Sequence, residues 1–157
     1  YDKIDYFAGL DARGFYIAPI LAYKFKKGFL PIRKIKKLPK PKDKKILSES
    51  YTTEYSEDEM GLIYEPIYKN KKVLILDDLL ATGGSLLGVI NLLNKAYMEV
   101  IGCVTVYDVI SLRKTAKKRL SNIDVRVLIN ENGFPNNFHK LNYIYNDKLI
   151  ERITNKI

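Results

Sequence analysis

The chain has 157 residues, of which 46% are hydrophobic and 29% charged, with nine glycines and six prolines. That length fits a domain with a real core, and the composition excludes a disordered, collagenous or low-complexity chain. One cysteine, Cys103, excludes a disulfide framework and a cysteine metal cluster, and no apolar run approaches membrane length. The net charge is +9 and uneven: between Lys24 and Lys45 there are eleven lysines and arginines against one acid, Asp43. Such a stretch suits phosphate, on a nucleic acid or on a small ligand, and it also suits a solvated surface. The chain has no tryptophan and no interleaved basic–aromatic motif, so a nucleic-acid partner is not expected. It begins at Tyr1 rather than Met, so a natural start upstream is expected.

Ile4–Leu10 reads as a buried strand. Phe15–Phe25 gathers Phe15, Ile17, Ala18, Leu21, Ala22 and Phe25 on one side and predicts a helix, with Pro19 in its first turns and Gly28 as its stop. Phe29–Arg33 predicts the next strand, completing a βαβ unit and a parallel pair. Lys34–Lys45, with seven lysines, Pro39 and Pro41, predicts a mobile surface loop without a packing face. Ser50–Tyr55 predicts a strand, and Leu62–Tyr64 its partner in a β excursion off the main sheet. Val73–Leu76, ended by Asp77 and Asp78, predicts a central parallel strand covered on both faces. Ser85–Tyr97 predicts a helix, with Leu86, Val89, Ile90, Leu93 and Tyr97 on one stripe. Val100–Tyr107 predicts a strand enclosing Cys103, Arg113–Leu120 a short basic helix with a solvated face, and Val125–Ile129 a last strand. This alternation predicts an α/β fold: an open, doubly wound, mostly parallel sheet with helices on both faces. Residues 1–130 form the core, with a flexible loop near 34–50, and residues 131–157 are an unassigned tail.

In that architecture ligands sit beyond the carboxyl ends of the strands. Two loops are placed there, Gly9–Gly14 and Asp77–Ser85. The second follows an apolar strand and begins with two adjacent carboxylates. It then offers Thr82, Gly83, Gly84 and Ser85, with two hydroxyls and two residues free to adopt positive φ. A helix starts at once, so its unpaired N–H groups make an anion cradle. No lysine follows Gly88 as a P-loop would need, and Gly-x-Gly-x-x-Gly is absent. Carboxylates beside a phosphate cradle make sense for a sugar phosphate: the acids accept from ribose hydroxyls while the cradle holds the 5′-phosphate.

Val73–Ser85, reading Val-Leu-Ile-Leu-Asp-Asp-Leu-Leu-Ala-Thr-Gly-Gly-Ser, resembles the phosphoribosyl-pyrophosphate motif of the type I phosphoribosyltransferases, in the form found in members acting on adenine. The resemblance implies that Asp77, Asp78, Ala81, Thr82, Gly83, Gly84 and Ser85 bind ribose and its 5′-phosphate. Gly9–Phe15 resembles the pyrophosphate loop, which implies that Asp11, Ala12 and Arg13 hold pyrophosphate around a strained peptide bond. Arg33, Lys34 and Lys37 resemble the start of the family's flexible loop and would also meet pyrophosphate, with Arg33 able to reach a neighbouring subunit's site. Lys40–Ser48 is longer and richer in lysine than in common relatives. Ser50–Tyr55 resembles the loop's end, which implies that Glu54 carries the proton at the purine's N7 and that Tyr55 closes the site. Leu79 and Val109 would line the base pocket. The family's hood over the base is expected either ahead of Tyr1 or not in this protein at all.

The activity so implied joins adenine to phosphoribosyl pyrophosphate, giving AMP and pyrophosphate. Catalytic roles fall to Glu54, Arg13 and Tyr55. Magnesium is expected as the cofactor, held through the substrate rather than by a protein cage. A homodimer, a cytoplasmic location and no membrane partner are expected. Two alternatives stay open: another purine base, and a regulator that senses phosphoribosyl pyrophosphate and binds nucleic acid. His139, Cys103 and the basic face Arg113–Arg119 are assigned no chemistry.

Overall fold

The computed structural model describes residues 3–52 and 57–131. The elements in order are β1 (Tyr6–Leu10), α1 (Ala18–Phe25), β2 (Gly28–Lys34), β3 (Ile46–Thr52), β4 (Glu57–Ile63), β5 (Lys72–Leu80), α2 (Gly84–Lys95), β6 (Glu99–Asp108), α3 (Arg113–Arg119) and β7 (Val125–Asn130). The strands form one sheet in the order β3-β4-β2-β1-β5-β6-β7. The pairs β1–β2, β1–β5, β5–β6 and β6–β7 are parallel, while β4 runs antiparallel to β2 and β3.

The side chains of each central strand alternate between two cores. Ala8, Val73 and Ile75 face Leu86, Val89 and Leu93 of α2, Ala116 of α3 and Leu120 just after that helix. Phe7 and Leu76 face Ala18 and Ala22 of α1 on the other side. The sheet is therefore covered on both faces, and each large apolar side chain so buried contributes about 1.5–3 kcal/mol. Strand order reverses at β1: the chain crosses to β2 on one side, and β5 lies on the other. A crevice opens beyond the carboxyl ends at such a reversal, so the loops after β1 and β5 become neighbours.

The structure corrects several sequence expectations. The first helix begins at Ala18, because Arg13–Tyr16 winds as a 3₁₀ turn. Lys26, at φ 53°, closes it rather than Gly28. Gly28 opens β2, where a Cβ would lie 2.4 Å from the Tyr6 ring. The lysine-rich loop does have a packing face: Leu38 is buried, and Ile35 and Leu38 lie against Gly61. β3 starts at Ile46 rather than Ser50, and residues 53–55 of that predicted strand lie outside the described residues. The β3–β4 hairpin is not an excursion off the sheet, because Arg33 and Lys34 of β2 pair with Gly61 and Met60 of β4. β5 runs past Asp77 and Asp78 to Leu80, since Asp77, Leu79 and Leu80 still pair with Thr105, Tyr107 and Asp108 of β6.

The hairpin is fastened to α2. Lys95 Nζ lies 2.5 Å from Glu49 Oε2 and donates to the Ser48 carbonyl at 3.0 Å. Asn91 Nδ2 donates to Glu49 Oε1 at 3.1 Å. The bond from Lys95 holds the Glu49 carboxyl below its ordinary pKa, against the opposing effect of burial. Tyr51 packs its ring against Gly88, where a Cβ would fall 2.7 Å from Tyr51 Cβ. No helix among the described residues is long and apolar enough to cross a membrane.

Candidate active site

Two loops meet beyond β1 and β5. The first leaves β1 at Leu10, and its Asp11–Ala12 peptide is cis. Its close seat on β5 needs Gly14, where a Cβ would lie 2.6 Å from the Leu76 carbonyl oxygen. The second loop leaves β5 and turns at Gly83, whose φ of 76° is a left-handed conformation that suits glycine. Ala116 of α3 and Leu120 just after it close in behind Gly83, 3.3 and 3.0 Å from where its Cβ would be. α2 then starts at Gly84, so free N–H groups at the start of a helix of twelve residues lie at the turn.

The acid pair lies just ahead of that turn. The Asp78 N–H donates to Asp77 Oδ1 at 2.9 Å, and Asp78 Oδ2 lies 3.0 Å from Arg13 Nε. Burial pushes the Asp77 carboxyl up to about 7; the neighbouring charge of Asp78 adds to this, while the Asp78 N–H and Arg13 oppose it.

On the first loop, Asp11 is nearly inaccessible, with its side chain 4% exposed. Arg33 Nε lies 3.6 Å from its Oδ2 and Lys37 Nζ 3.7 Å from its Oδ1. Asp11 Oδ2 and Arg33 Nε are both buried without a hydrogen bond among the described residues. Two cations are thus gathered at one carboxylate without being consumed by it, an arrangement ready for a multiply charged anion. Lys34 is not part of this group. Adjacent strand residues point to opposite faces, and Lys34 instead pairs with Asp58 of β4 at 2.5 Å. That bond holds the Asp58 carboxyl below its ordinary value. Tyr51 also bonds Asp58, and burial followed by the Asp58 charge pushes its hydroxyl up to about 12.

The structure therefore brings Asp77, Asp78, Arg13, Asp11, Arg33 and Lys37 to the ends of adjacent strands, with Thr82–Ser85 at the turn beside them. Leu79 and Val109 are half-buried at the ends of β5 and β6, where the Val109 N–H donates to the Leu80 carbonyl at 3.0 Å. Glu54 and Tyr55 lie outside the described residues, as does His139. Cys103 is buried, and desolvation pushes its thiol up to about 12, which suits an inert core residue.

Sequence reasoning missed two arginines. The basic helix α3 is not a uniformly solvated face. Arg113 turns back onto buried Asp108 with Nε at 2.7 Å and Nη2 at 2.5 Å from Oδ2. Burial raises the Asp108 carboxyl pKa, and Arg113 opposes that rise. Arg119 reaches the turn after β5, with Nη1 3.0 Å from Thr82 Oγ1. The available signal was the apolar pair Ala116 and Leu120, four residues apart, which fixes the inward face of the helix.

Comparison with known proteins agrees with this geometry. Residues 1–141 match the model of the phosphoribosyl transferase domain. The chain is 42% identical over 123 residues to an adenine phosphoribosyltransferase of Burkholderia lata, covering 78% of this chain and 63% of that protein. It is 40% identical over 131 residues to the enzyme of that name from Burkholderia cenocepacia, covering 83% and 68%. The chain thus spans about two thirds of the length of these relatives. Among solved structures, adenine phosphoribosyltransferase of Rhodothermus marinus superposes with a TM-score of 0.73 at 34% identity, covering 82% of this chain and 70% of that one. The Saccharomyces cerevisiae enzyme, complexed with an imino-altritol bisphosphate and adenine, gives 0.70 at 32%, covering 78% and 66%. With the family model matched over most of its length and relatives at this degree of likeness, the chain belongs to the phosphoribosyl transferase domain family.

Proposed function

We propose that the chain is an adenine phosphoribosyltransferase of purine salvage, transferring ribose 5-phosphate from phosphoribosyl pyrophosphate to adenine with release of pyrophosphate. One observation carries this reading. The acid pair and phosphate turn after β5 lie beside the cation group around Asp11 after β1, and Arg13 spans the two at 3.0 Å from Asp78. A donor with a 5′-phosphate, ribose hydroxyls and a pyrophosphate needs those three kinds of group in that order. The choice of adenine is supported by the relatives that carry that name and by Leu79–Thr82, whose Leu-Leu-Ala-Thr resembles the motif of family members acting on adenine.

In this reading Asp77 and Asp78 accept hydrogen bonds from the ribose hydroxyls. The amides of the turn and the hydroxyls of Thr82 and Ser85 hold the 5′-phosphate, with Ala81 leading the chain into the turn. The bond from the anomeric carbon to pyrophosphate breaks as adenine N9 bonds to that carbon. Positive charge gathers on the ring and negative charge on the leaving group, where Arg13, Arg33 and Lys37 stabilise it, with Asp11 and Ala12 shaping the loop beneath. Leu79 and Val109 flank the base. Glu54 holds the proton at N7 and Tyr55 covers it. This assignment is supported by Thr52, two residues before Glu54, whose carbonyl oxygen would lie 2.0 Å from a Cβ on Gly84.

The donor set suits magnesium bound through the substrate. Asp77 and Asp78 offer hard oxygens, and no cluster of three His, Cys, Asp or Glu side chains able to hold a metal occurs among the described residues. When bound, the ion would neutralise part of the pyrophosphate charge. A homodimer and a cytoplasmic setting belong to the same proposal. The dimer is supported by Tyr16, Ile20 and Tyr23, which are 72%, 65% and 89% exposed along one side of α1 and the turn before it.

Incubation with phosphoribosyl pyrophosphate, magnesium and each of adenine, hypoxanthine and guanine tests the assignment. AMP formation from adenine is expected. Turnover of another base without adenine would replace the substrate, and donor-dependent RNA binding without turnover would replace the enzyme by a regulator.

A further inference from the structure

We propose that Arg119 of α3 is a positioning residue of the phosphate turn, setting Thr82 so that its hydroxyl proton is presented to a phosphate monoester. The inference rests on the reading that the turn 77–85 holds a 5′-phosphorylated pentose.

A guanidinium only donates. With Arg119 Nη1 3.0 Å from Thr82 Oγ1, that hydroxyl oxygen must accept, and its own proton is left to donate elsewhere. Among the described residues nothing takes that proton. The same Nη1 lies 3.4 Å from the Thr82 carbonyl oxygen, so this acceptor too is engaged by the arginine. One cation thus does two things: it leaves a donor for the ligand and engages a second acceptor of the same residue. Its positive charge also polarises the hydroxyl, and a charge-assisted hydrogen bond is stronger than a neutral one.

The placement is built rather than incidental. Ala116 of the same helix and Leu120 just after it pack against Gly83 and fix α3 on the turn. Nη1 lies 3.0 Å from where a Cβ on Gly84 would be, so it flanks the first residue of α2. Two other arginines, Arg113 and Arg126, are neutralised by Asp108 and Asp124. Among the described residues no carboxylate pairs with Arg119. Its charge is held half-buried beside the cradle with only neutral oxygens around it, and an anion in the turn completes the arrangement.

Calorimetric titration of ribose 5-phosphate and of pyrophosphate into the wild-type chain, Arg119→Ala, Arg119→Gln and Arg119→Lys tests this. Arg119→Ala is expected to weaken ribose 5-phosphate at least tenfold while leaving pyrophosphate within about twofold. Arg119→Lys is expected to restore part of the loss, because one ammonium keeps the charge but not the fork. In a Thr82→Val background Arg119→Ala is expected to cost much less than in the wild type. Should Arg119→Ala not fold, Arg119→Gln, which keeps much of the side chain and an amide donor but loses the charge, carries the same comparison. Unchanged ribose 5-phosphate affinity, or an equal loss for both ligands, would overturn the role of Arg119. If the wild-type chain bound ribose 5-phosphate nowhere, the phosphate-turn reading itself would fall, and Arg119 with it.

Discussion

Arg13 Nε lies 3.0 Å from Asp78 Oδ2, so a side chain assigned to the pyrophosphate and one assigned to the ribose bind each other across the ends of β1 and β5. The pair marks where the donor's anomeric carbon would sit, since pyrophosphate and ribose hydroxyls flank that atom. It also keeps Arg13 near its station when no anion is there to hold it.

Arg13 is 66% exposed, and exposed ion pairs contribute little to stability. Arg13→Ala is therefore expected to leave the melting temperature within about 2 °C of wild type, from an effect below roughly 0.5 kcal/mol. Its kcat with adenine is expected to fall roughly 100-fold, because the lost charge acts where negative charge develops. Calorimetry and steady-state kinetics on the same sample check both halves. A large drop in melting temperature with kcat preserved would assign Arg13 a structural role instead.

Asp77 makes a prediction in pH. Its carboxyl is pushed from an ordinary 3.8 to about 7, chiefly by burial. Between those values the native chain holds a proton that the unfolded chain has released. Stability linked to this group therefore falls as pH rises from about 4 to about 7, and is flat beyond. Asp77→Asn abolishes that slope, so its melting temperature should gain on wild type as pH rises through this window. Hydroxyls that donate to the carboxylate favour its ionised form, so affinity for phosphoribosyl pyrophosphate should rise toward pH 7 in wild type and not in Asp77→Asn. Parallel melting curves across pH for the two proteins would show that Asp77 does not titrate in that range.

The acid pair and the turn were readable because they are contiguous. A four-residue apolar strand, two acids, two glycines and a helix start fall within thirteen residues, and each step has a local cause. The cation group was only half readable. That Arg33 and Lys34 alternate faces follows from a strand's period of two, but that Arg33 rather than Lys34 faces Asp11 depends on the register of β2 against β1. Composition hid two further features. The lysines around Leu38 mask an apolar residue that packs on β4, and the charges around Ala116 mask the face that puts Arg119 at the turn. In both cases one or two apolar residues decide the orientation, and an average over the segment does not register them.

Gly84 should resist substitution against its helix propensity. Alanine at an ordinary helix position is favoured over glycine by about 1 kcal/mol. Here a Cβ would fall 2.0 Å from the Thr52 carbonyl oxygen and 3.0 Å from Arg119 Nη1. Backbone on one side and the arginine on the other leave it no space, so Gly84→Ala is expected to destabilise by about 1–3 kcal/mol, as overpacking does. Urea unfolding gives the value, and a midpoint at or above wild type would show that the end of β3 does not press on α2.

Lys34 and Lys37 sit three residues apart and should behave as opposites. Lys37 Nζ is 3.7 Å from Asp11, in the cation group, while Lys34 Nζ is 2.5 Å from Asp58, which Tyr51 also bonds. Lys37→Met is expected to weaken pyrophosphate about tenfold by removing one charge-assisted contact, with little effect on melting. Lys34→Met is expected to leave pyrophosphate within about twofold. Because Lys34 and Asp58 are 44% and 25% exposed, losing their pair should cost no more than about 1 kcal/mol. Removing Lys34 also lifts the Asp58 carboxyl back toward its ordinary value, so the stability that this acid contributes above that value shrinks, and the acid-induced loss of structure near pH 4 becomes shallower than in wild type. Pyrophosphate titrations and melting curves at pH 4 and pH 7 on the two variants decide the matter. If Lys34→Met lost pyrophosphate affinity as strongly as Lys37→Met, the side chain would have to leave Asp58 on binding, and the division of the two lysines between Asp11 and Asp58 would be wrong.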